Sequence, residues 1–77
     1  MKQDIWTLYS TTELFDILAR EKILLLYNGV VIKHGKEAGM LQYNKERDSW
    51  VETDIMVIDL GATPCRIVTE REVKRGV

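Results

Sequence analysis

The residues best suited to chemistry in this chain are its one cysteine and its one histidine, Cys65 and His34. A thiol activated by an imidazole base is a common nucleophile, but no local motif connects these two residues. A single cysteine on a predicted strand is usually a small buried hydrophobe. Because the chain has no CxxC or HxxxH spacing, the ligands of a zinc site are also missing. We expect no catalytic residue and no metal site.

Carboxylates and glycines offer two further kinds of site. Glu52 with Asp54, and Glu70 with Glu72, are spaced so that each pair would share one face of a strand. Such a pair can hold a cation or act as acid and base, but acidic residues on a solvent-facing strand are the commoner case. Residues 35–39, with two glycines around an acid, match neither the nucleotide-binding fingerprint nor the P-loop. We therefore expect no cofactor and no enzymatic activity.

Length and composition indicate a single small globular domain over residues 1–77. A chain of this length buries only about 60% of the surface that it exposes when unfolded. Its 11 Lys and Arg nearly balance its 12 Asp and Glu, whereas a nucleic-acid-binding domain is usually clearly basic. The longest aliphatic run, residues 23–26, is too short to cross a bilayer, and residues 1–4 lack the apolar core of a signal peptide. These features predict a cytoplasmic protein with no membrane partner.

The clearest local pattern predicts a helix over residues 11–22. Ser10 and Glu13 have the spacing of a capping box, in which each side chain bonds the other residue's backbone amide. Tyr9 and Leu14 occupy the two positions of a hydrophobic staple. The apolar positions that follow recur at helical spacing, so one face of this helix should pack on the rest of the domain.

The rest of the chain is predicted to form short strands. Asn28 and Gly29 favour a two-residue hairpin turn, which would pair Leu25 with Ile32 and Leu26 with Val31. The predicted strands are 4–9, 23–27, 30–34, 40–43, 49–53, 55–60 and 65–70, and residues 70–77 are expected to form a frayed tail. About five or six of these segments should form a strongly bent antiparallel sheet carrying the one N-terminal helix. The predicted class is α+β, with a small SH3-like barrel as the candidate form.

The end of this hairpin is apolar on both faces, and one helix can cover only one face of a sheet. The second face must be covered by curvature of the sheet, by another copy of the chain or by a partner. Large aromatic rings nearby are of the kind that anchor interfaces. We therefore predict a partner interface and a homodimer or higher homo-oligomer. The predicted interface residues are Trp6, Leu26, Tyr27, Val30, Val31 and Trp50.

These observations favour a non-enzymatic protein-interaction module whose partner the sequence does not identify. Small, nearly neutral domains without an active site are common among accessory proteins of phages and mobile elements. In such proteins they inhibit or adapt a host protein, and we take that role as the working expectation.

The alternative function is nucleic-acid binding by a small barrel. A helix leading into a strand, then the segment 26–29, a returning strand and the segment 39–41, resembles the start of Sm-like RNA-binding proteins over residues 11–43. That resemblance implies a bent five-stranded barrel that assembles into rings. The sequence departs from the family pattern because its strand-bending glycine falls late, at Gly35, and the second family signature is not evident. The candidate nucleic-acid contacts are Lys33, His34, Lys36, Tyr43 and Arg47.

Overall fold

The computed structural model describes residues 6–37 and 39–76. Two helices, five strands and one 3₁₀ helix make up this part of the chain. In chain order they are α1 (Thr11–Ala19), β1 (Ile23–Leu26), β2 (Val31–Gly35), β3 (Gly39–Asn44), β4 (Ser49–Glu52), the 3₁₀ helix (Val57–Leu60), β5 (Cys65–Val68) and α2 (Glu70–Lys74).

The five strands form one antiparallel sheet in the order β4-β3-β2-β1-β5. The α+β class with an antiparallel sheet is thereby confirmed. Strands β4 and β5 lie at opposite edges, so within the described residues the sheet is open and the SH3-like barrel is not confirmed. The outer edge of β5 is partly covered, because Thr7 and Cys65 exchange two backbone hydrogen bonds of 3.0 and 2.9 Å.

The predicted register of the first hairpin is wrong by one residue. Leu24 pairs with Ile32 and Leu25 with Val31, because the loop contains three residues, 27–29. Gly29 has a φ of +96° and its amide donates to the Leu26 carbonyl, at 2.8 Å, as expected for a three-residue hairpin loop with a left-handed glycine. A slip of one residue moves every side chain of a strand to the other face. The slip therefore exchanges the two faces of β1 relative to β2.

Three other predicted segments also differ. Residues 55–60 were expected to form a strand and instead contain the 3₁₀ helix, whose buried residues Val57 and Leu60 lie three positions apart. A strand was also expected at 4–9. Among its described residues, 6–9, only Thr7 pairs with the sheet, through an isolated bridge to Cys65. Residues 4 and 5 lie outside the described range. The tail expected to fray from residue 70 forms α2, since Thr69 and Glu72 make a second capping box; position 77 is outside the described residues.

Two apolar cores lie on opposite faces of the sheet. The first lies under α1 and the 3₁₀ helix and contains Leu14, Leu18, Leu24, Leu26, Ile32, Val57, Leu60 and Cys65. The second lies under α2 and contains Ile23, Leu25, Val31, Val68 and Val73, with Tyr43 and Trp50 packed against it. The second apolar face that the sequence left without a cover is therefore covered within the chain by Val73 of α2 together with Tyr43 and Trp50.

The predicted capping box at the start of α1 is confirmed. The Glu13 amide donates to the Ser10 hydroxyl at 3.1 Å, and the Ser10 amide donates to the Glu13 carboxylate at 2.8 Å. The helix ends earlier than predicted, at Ala19, because Glu21 adopts a left-handed φ of 60°.

Replacing Ser10 with alanine should lower the free energy of unfolding by about 1 kcal/mol, since an orphan amide of the first turn loses its acceptor. Urea denaturation followed by circular dichroism measures this change. Ser10→Asn is the matched control, because asparagine caps helices as well as serine and should restore the stability. An unchanged stability of Ser10→Ala would show that the cap contributes nothing, and equal losses in both variants would show that the loss does not come from the missing acceptor.

Candidate functional site

An apolar groove of about 630 Å³ runs between α1 and residues 55–58. The ends of β2 and β3 form its floor, where His34 and Met40 are cross-strand partners on one face of the sheet. The lining residues are Thr11, Phe15, Leu18, Ala19, His34, Gly39, Met40, Ile55, Met56, Val57 and Ile58. Its volume lies within the range of about 300–1,000 Å³ that is usual for ligand-binding clefts.

Large apolar side chains on the two walls of this groove are exposed to solvent. Phe15 is 59% exposed on the helix wall, and on the opposite wall Met56 is 62% and Ile58 73% exposed. Single exposed apolar residues are ordinary, but a contiguous patch around a concave surface marks a binding site more often than chance. Methionine adds an adaptable side chain that suits binding surfaces.

The local structure explains why these side chains point outward. On α1, Leu14 and Leu18 occupy the buried stripe, so Phe15, about 100° further around the helix, lies at its margin. In the 3₁₀ helix the buried residues are Val57 and Leu60, which leaves Ile58 facing solvent. Asp59 fixes the start of this turn, since its carboxylate accepts from the Met56 amide at 3.2 Å.

The backbone around the groove is already hydrogen-bonded. Strand β3 pairs with β2 on one side and with β4 on the other. The 3₁₀ helix closes its own turn, with the Asp59 amide donating to the Met56 carbonyl at 2.9 Å. An α-helix likewise satisfies its own backbone groups. The groove therefore offers mainly apolar side chains to a ligand, and β3 at its floor has no free edge.

The six predicted interface residues do not form one surface. Leu26 and Val31 belong to the two different cores and are 3% and 6% exposed, so neither lies at the surface of the single chain. Val30 packs against the first core, and Trp50 packs against the second. Trp6 and Tyr27 do meet at the surface, with an edge-to-face ring contact of 5.2 Å.

The five candidate nucleic-acid contacts are also divided. Lys33 and Tyr43 lie on the α2 side of the sheet, and the ammonium of Lys33 is 4.4 Å from the centre of the Trp50 ring. His34 lies in the groove on the opposite face. Lys36 is 3.9 Å from the Glu21 carboxylate, and the amide of Arg47 donates to the Asn44 side chain at the tip of the second hairpin.

A polar network links this hairpin to α2. The Tyr43 hydroxyl donates to the Asp48 carboxylate, and Lys74 donates to the same carboxylate at 3.2 Å. The hydrogen bond to Asp48 raises the pKa of Tyr43 above its usual value. The hydrogen bonds from Tyr43 and Lys74 lower the pKa of Asp48. Both side chains hold these contacts in the neutral pH range, where the phenol is protonated and the carboxylate is charged.

Cys65 is fully buried, and its thiol donates to the Thr63 carbonyl at 3.3 Å. Burial raises the pKa of this thiol, so little of it is present as the reactive thiolate at neutral pH. Among residues 6–37 and 39–76, no three His, Cys, Asp or Glu side chains come together in a group that could hold a metal ion.

None of the helices described here has the length and apolar character needed to cross a membrane. Comparison with known proteins found no matching protein family, no similar curated protein and no similar solved structure. The function of the groove between α1 and residues 55–58 is therefore inferred from the geometry of the groove.

Proposed function

We propose that this protein is a non-enzymatic interaction module that binds an apolar helical segment of another protein in the groove. The observation that carries the proposal is the exposure of Phe15, Met56 and Ile58 on facing walls of one concave, apolar surface. Binding would bury these side chains together, and fully desolvated aromatic and aliphatic anchors supply most of the energy of such interfaces.

A helix is the partner segment that suits these walls. An extended peptide gains much of its affinity by pairing with a free strand edge, whereas β3 at the floor of the groove is already paired with β2 and β4. A helix satisfies its own backbone and inserts apolar side chains at positions i, i+3, i+4 and i+7. A domain that binds in this way acts on its partner by blocking or bridging it, which is the inhibitor or adaptor role that we propose.

The buried thiol supports a function without catalysis. A nucleophilic cysteine needs an accessible site and a lowered pKa, whereas Cys65 is buried with a raised pKa. The groove presents mainly apolar side chains, and His34 is the one titratable residue among the described residues that line it.

The proposal is tested by capturing partners from a lysate with the wild-type protein and with Ile58→Asp, then measuring the affinity of each purified partner. A charge at position 58 should weaken a groove-bound partner by at least about 30-fold, equivalent to about 2 kcal/mol for an interface anchor. Because Ile58 is 73% exposed, the free energy of unfolding should change by less than about 0.5 kcal/mol.

Tyr27→Asp is the matched control, because Tyr27 is 67% exposed and lies at the hairpin end that the sequence favoured. Its partner affinity should equal that of the wild type. If Tyr27→Asp abolishes binding and Ile58→Asp does not, the interface lies at the hairpin end and the groove proposal is wrong.

The second candidate function is nucleic-acid binding on the α2 side of the sheet. The observation that favours it is the contact of Lys33 with Trp50, beside a depression of about 430 Å³ whose lining includes Lys45, Lys74 and Arg75. However, Lys33 occupies one face of the Trp50 ring, and this ring also packs against the second core. Bases bind single-strand readers by stacking on open ring faces, so we rank this function second. Capture lost on nuclease treatment and weakened in Lys33→Ala would reverse that order.

Because β4 and β5 are edge strands of an open sheet, the SH3-like barrel remains a proposal about the architecture. A 3₁₀ helix lies between the two edge strands, β4 and β5, so closing the barrel would require these edges to approach each other and the bridge between Thr7 and Cys65 to give way. Backbone amide exchange would test this, because barrel closure protects the outer edge of β4 and an open sheet leaves it exposed.

A further inference from the structure

The two walls of the groove are acidic, although the chain as a whole is nearly neutral. Helix α1 carries two carboxylates, residues 54–59 carry two more, and neither segment contains Lys or Arg. These acidic residues are Glu13, Asp16, Asp54 and Asp59, and all of them are exposed. Because the whole chain has 11 Lys and Arg against 12 Asp and Glu, overall composition does not account for walls that hold acids and no base.

Asp54 and Asp59 lie at the two ends of the wall formed by residues 55–58. Asp54 directly precedes Ile55, which lines the groove, and the Asp59 carboxylate accepts from the amide of Met56, another lining residue, at 3.2 Å. Within the described part of the chain, no Lys or Arg forms an ion pair with either carboxylate. Their negative charge is therefore open to pairing with a ligand in the groove.

The basic residues next to the groove do not cancel this charge. Arg20, which directly follows α1, is 3.3 Å from the Asp16 carboxylate, and this leaves Glu13 as the unpaired carboxylate of the helix wall. Lys36, which directly follows β2, is 3.9 Å from the Glu21 carboxylate, so these two charges offset each other. The walls therefore keep a net negative charge on both sides of an apolar floor.

We propose that the helical segment bound in the groove is basic, with Lys or Arg on both sides of its apolar stripe. This inference rests on the proposed function and names the charge of the partner. The apolar stripe of the partner would cover Phe15, Met56 and Ile58, while its flanking cations would lie beside the carboxylates of the walls. Such complementarity speeds association and disfavours partners of the wrong charge. An acidic helix would place like charges together along both walls.

The test is a display library of helical peptides of about 20 residues. The library has apolar residues at i, i+3, i+4 and i+7, and Lys, Glu, Gln or Ser in equal proportion at the flanking positions. Selection on the wild-type protein should enrich Lys over Glu at least about fivefold at those positions. A selected peptide should bind at least about fivefold more weakly when salt is raised from about 20 to about 300 mM. Enrichment of acidic or neutral peptides would overturn the proposal.

Asp54→Lys tests the acidic wall directly. It should weaken the selected basic peptide at least about fivefold, because one attraction becomes a repulsion. Glu52→Lys is the matched control, since it makes the same change of charge two positions away. Glu52 shares a face of β4 with Trp50, which packs against the second core, so this control lies on the side of the sheet away from the groove. Its affinity should stay within about twofold of the wild type. Equal weakening in both variants would overturn the proposal.

Phe15→Ser separates a failure of this inference from a failure of the proposed function. It removes an apolar anchor without changing the charge, so it should weaken any peptide bound in the groove at least about tenfold. Acidic or neutral peptides that are weakened by Phe15→Ser would keep the groove as the binding site and overturn only its preference for a basic helix. Peptides that bind Phe15→Ser as tightly as the wild type, or a selection without enrichment, would overturn the proposed function together with this inference.

Discussion

Replacing Val31 with glutamate is expected to unfold the protein. Val31 is 6% exposed and lies in the second core with Leu25 and Val68, where a carboxylate would be removed from water. An uncompensated buried charge costs about 3–5 kcal/mol. A single core in a chain of this size supplies a net stability of about the same size. Circular dichroism and urea denaturation should show no cooperative transition at 25 °C.

Tyr27→Glu is the control for this prediction, since it places the same charge nearby on a side chain that is 67% exposed. Its free energy of unfolding should lie within about 0.5 kcal/mol of the wild type. A folded Val31→Glu protein whose association state alone had changed would mean that Val31 lies at an interface, as the sequence suggested.

Replacing Leu14 with alanine should have the second-largest effect. Leu14 is completely buried between α1 and the sheet, so the loss includes the transfer energy of its side chain and the cavity left behind, together about 2–5 kcal/mol. For a domain of this length that lowers the melting temperature by more than about 10 °C. Thermal denaturation by differential scanning calorimetry measures the change.

Phe15→Ala is the matched control, because it removes a larger side chain from the next position of the same helix. Phe15 is 59% exposed, so its removal should cost less than about 1 kcal/mol in spite of its size. A loss equal to that of Leu14→Ala would mean that α1 buries Phe15 against the sheet. The helix wall of the groove would then be absent.

Local sequence signals predicted the parts of the fold that depend on local chemistry. The capping box of Ser10 and Glu13 is local, and it placed the start of α1 correctly. The hairpin at Asn28 and Gly29 was also correct, but its register was not. The choice between two and three loop residues depends on the Asn28 side chain accepting from the Val30 amide and on how each strand face packs. Packing in the two cores, the second of which includes Val73 of α2, decides which β1 residues belong to which face.

The groove was not predicted, because the apolar run at residues 55–60 was assigned the side-chain period of a strand instead of that of a 3₁₀ helix. Residues 55–60 are uninterrupted in apolar character up to Asp59, and such a run fits a buried strand or a short helix equally well. Val57 and Leu60 lie three residues apart. Asp59 likewise lies three residues after Met56, and its carboxylate caps the Met56 amide. That spacing is the signal that could have indicated a 3₁₀ turn with Met56 and Ile58 exposed. The helical pattern of α1 does not set the width of its packed stripe, so it does not indicate whether Phe15 is buried or exposed.

The most direct test of partner binding in the groove is photocrosslinking in living cells, with a photoreactive benzoylphenylalanine placed at position 58 or, in a second strain, at position 27. Both positions are exposed in the free protein, so neither probe should disturb the fold. The account predicts a discrete crosslinked protein from position 58 that disappears when Phe15→Asp is added, and no discrete product from position 27. A product from position 27 alone would contradict it and would place the interface at the end of the first hairpin.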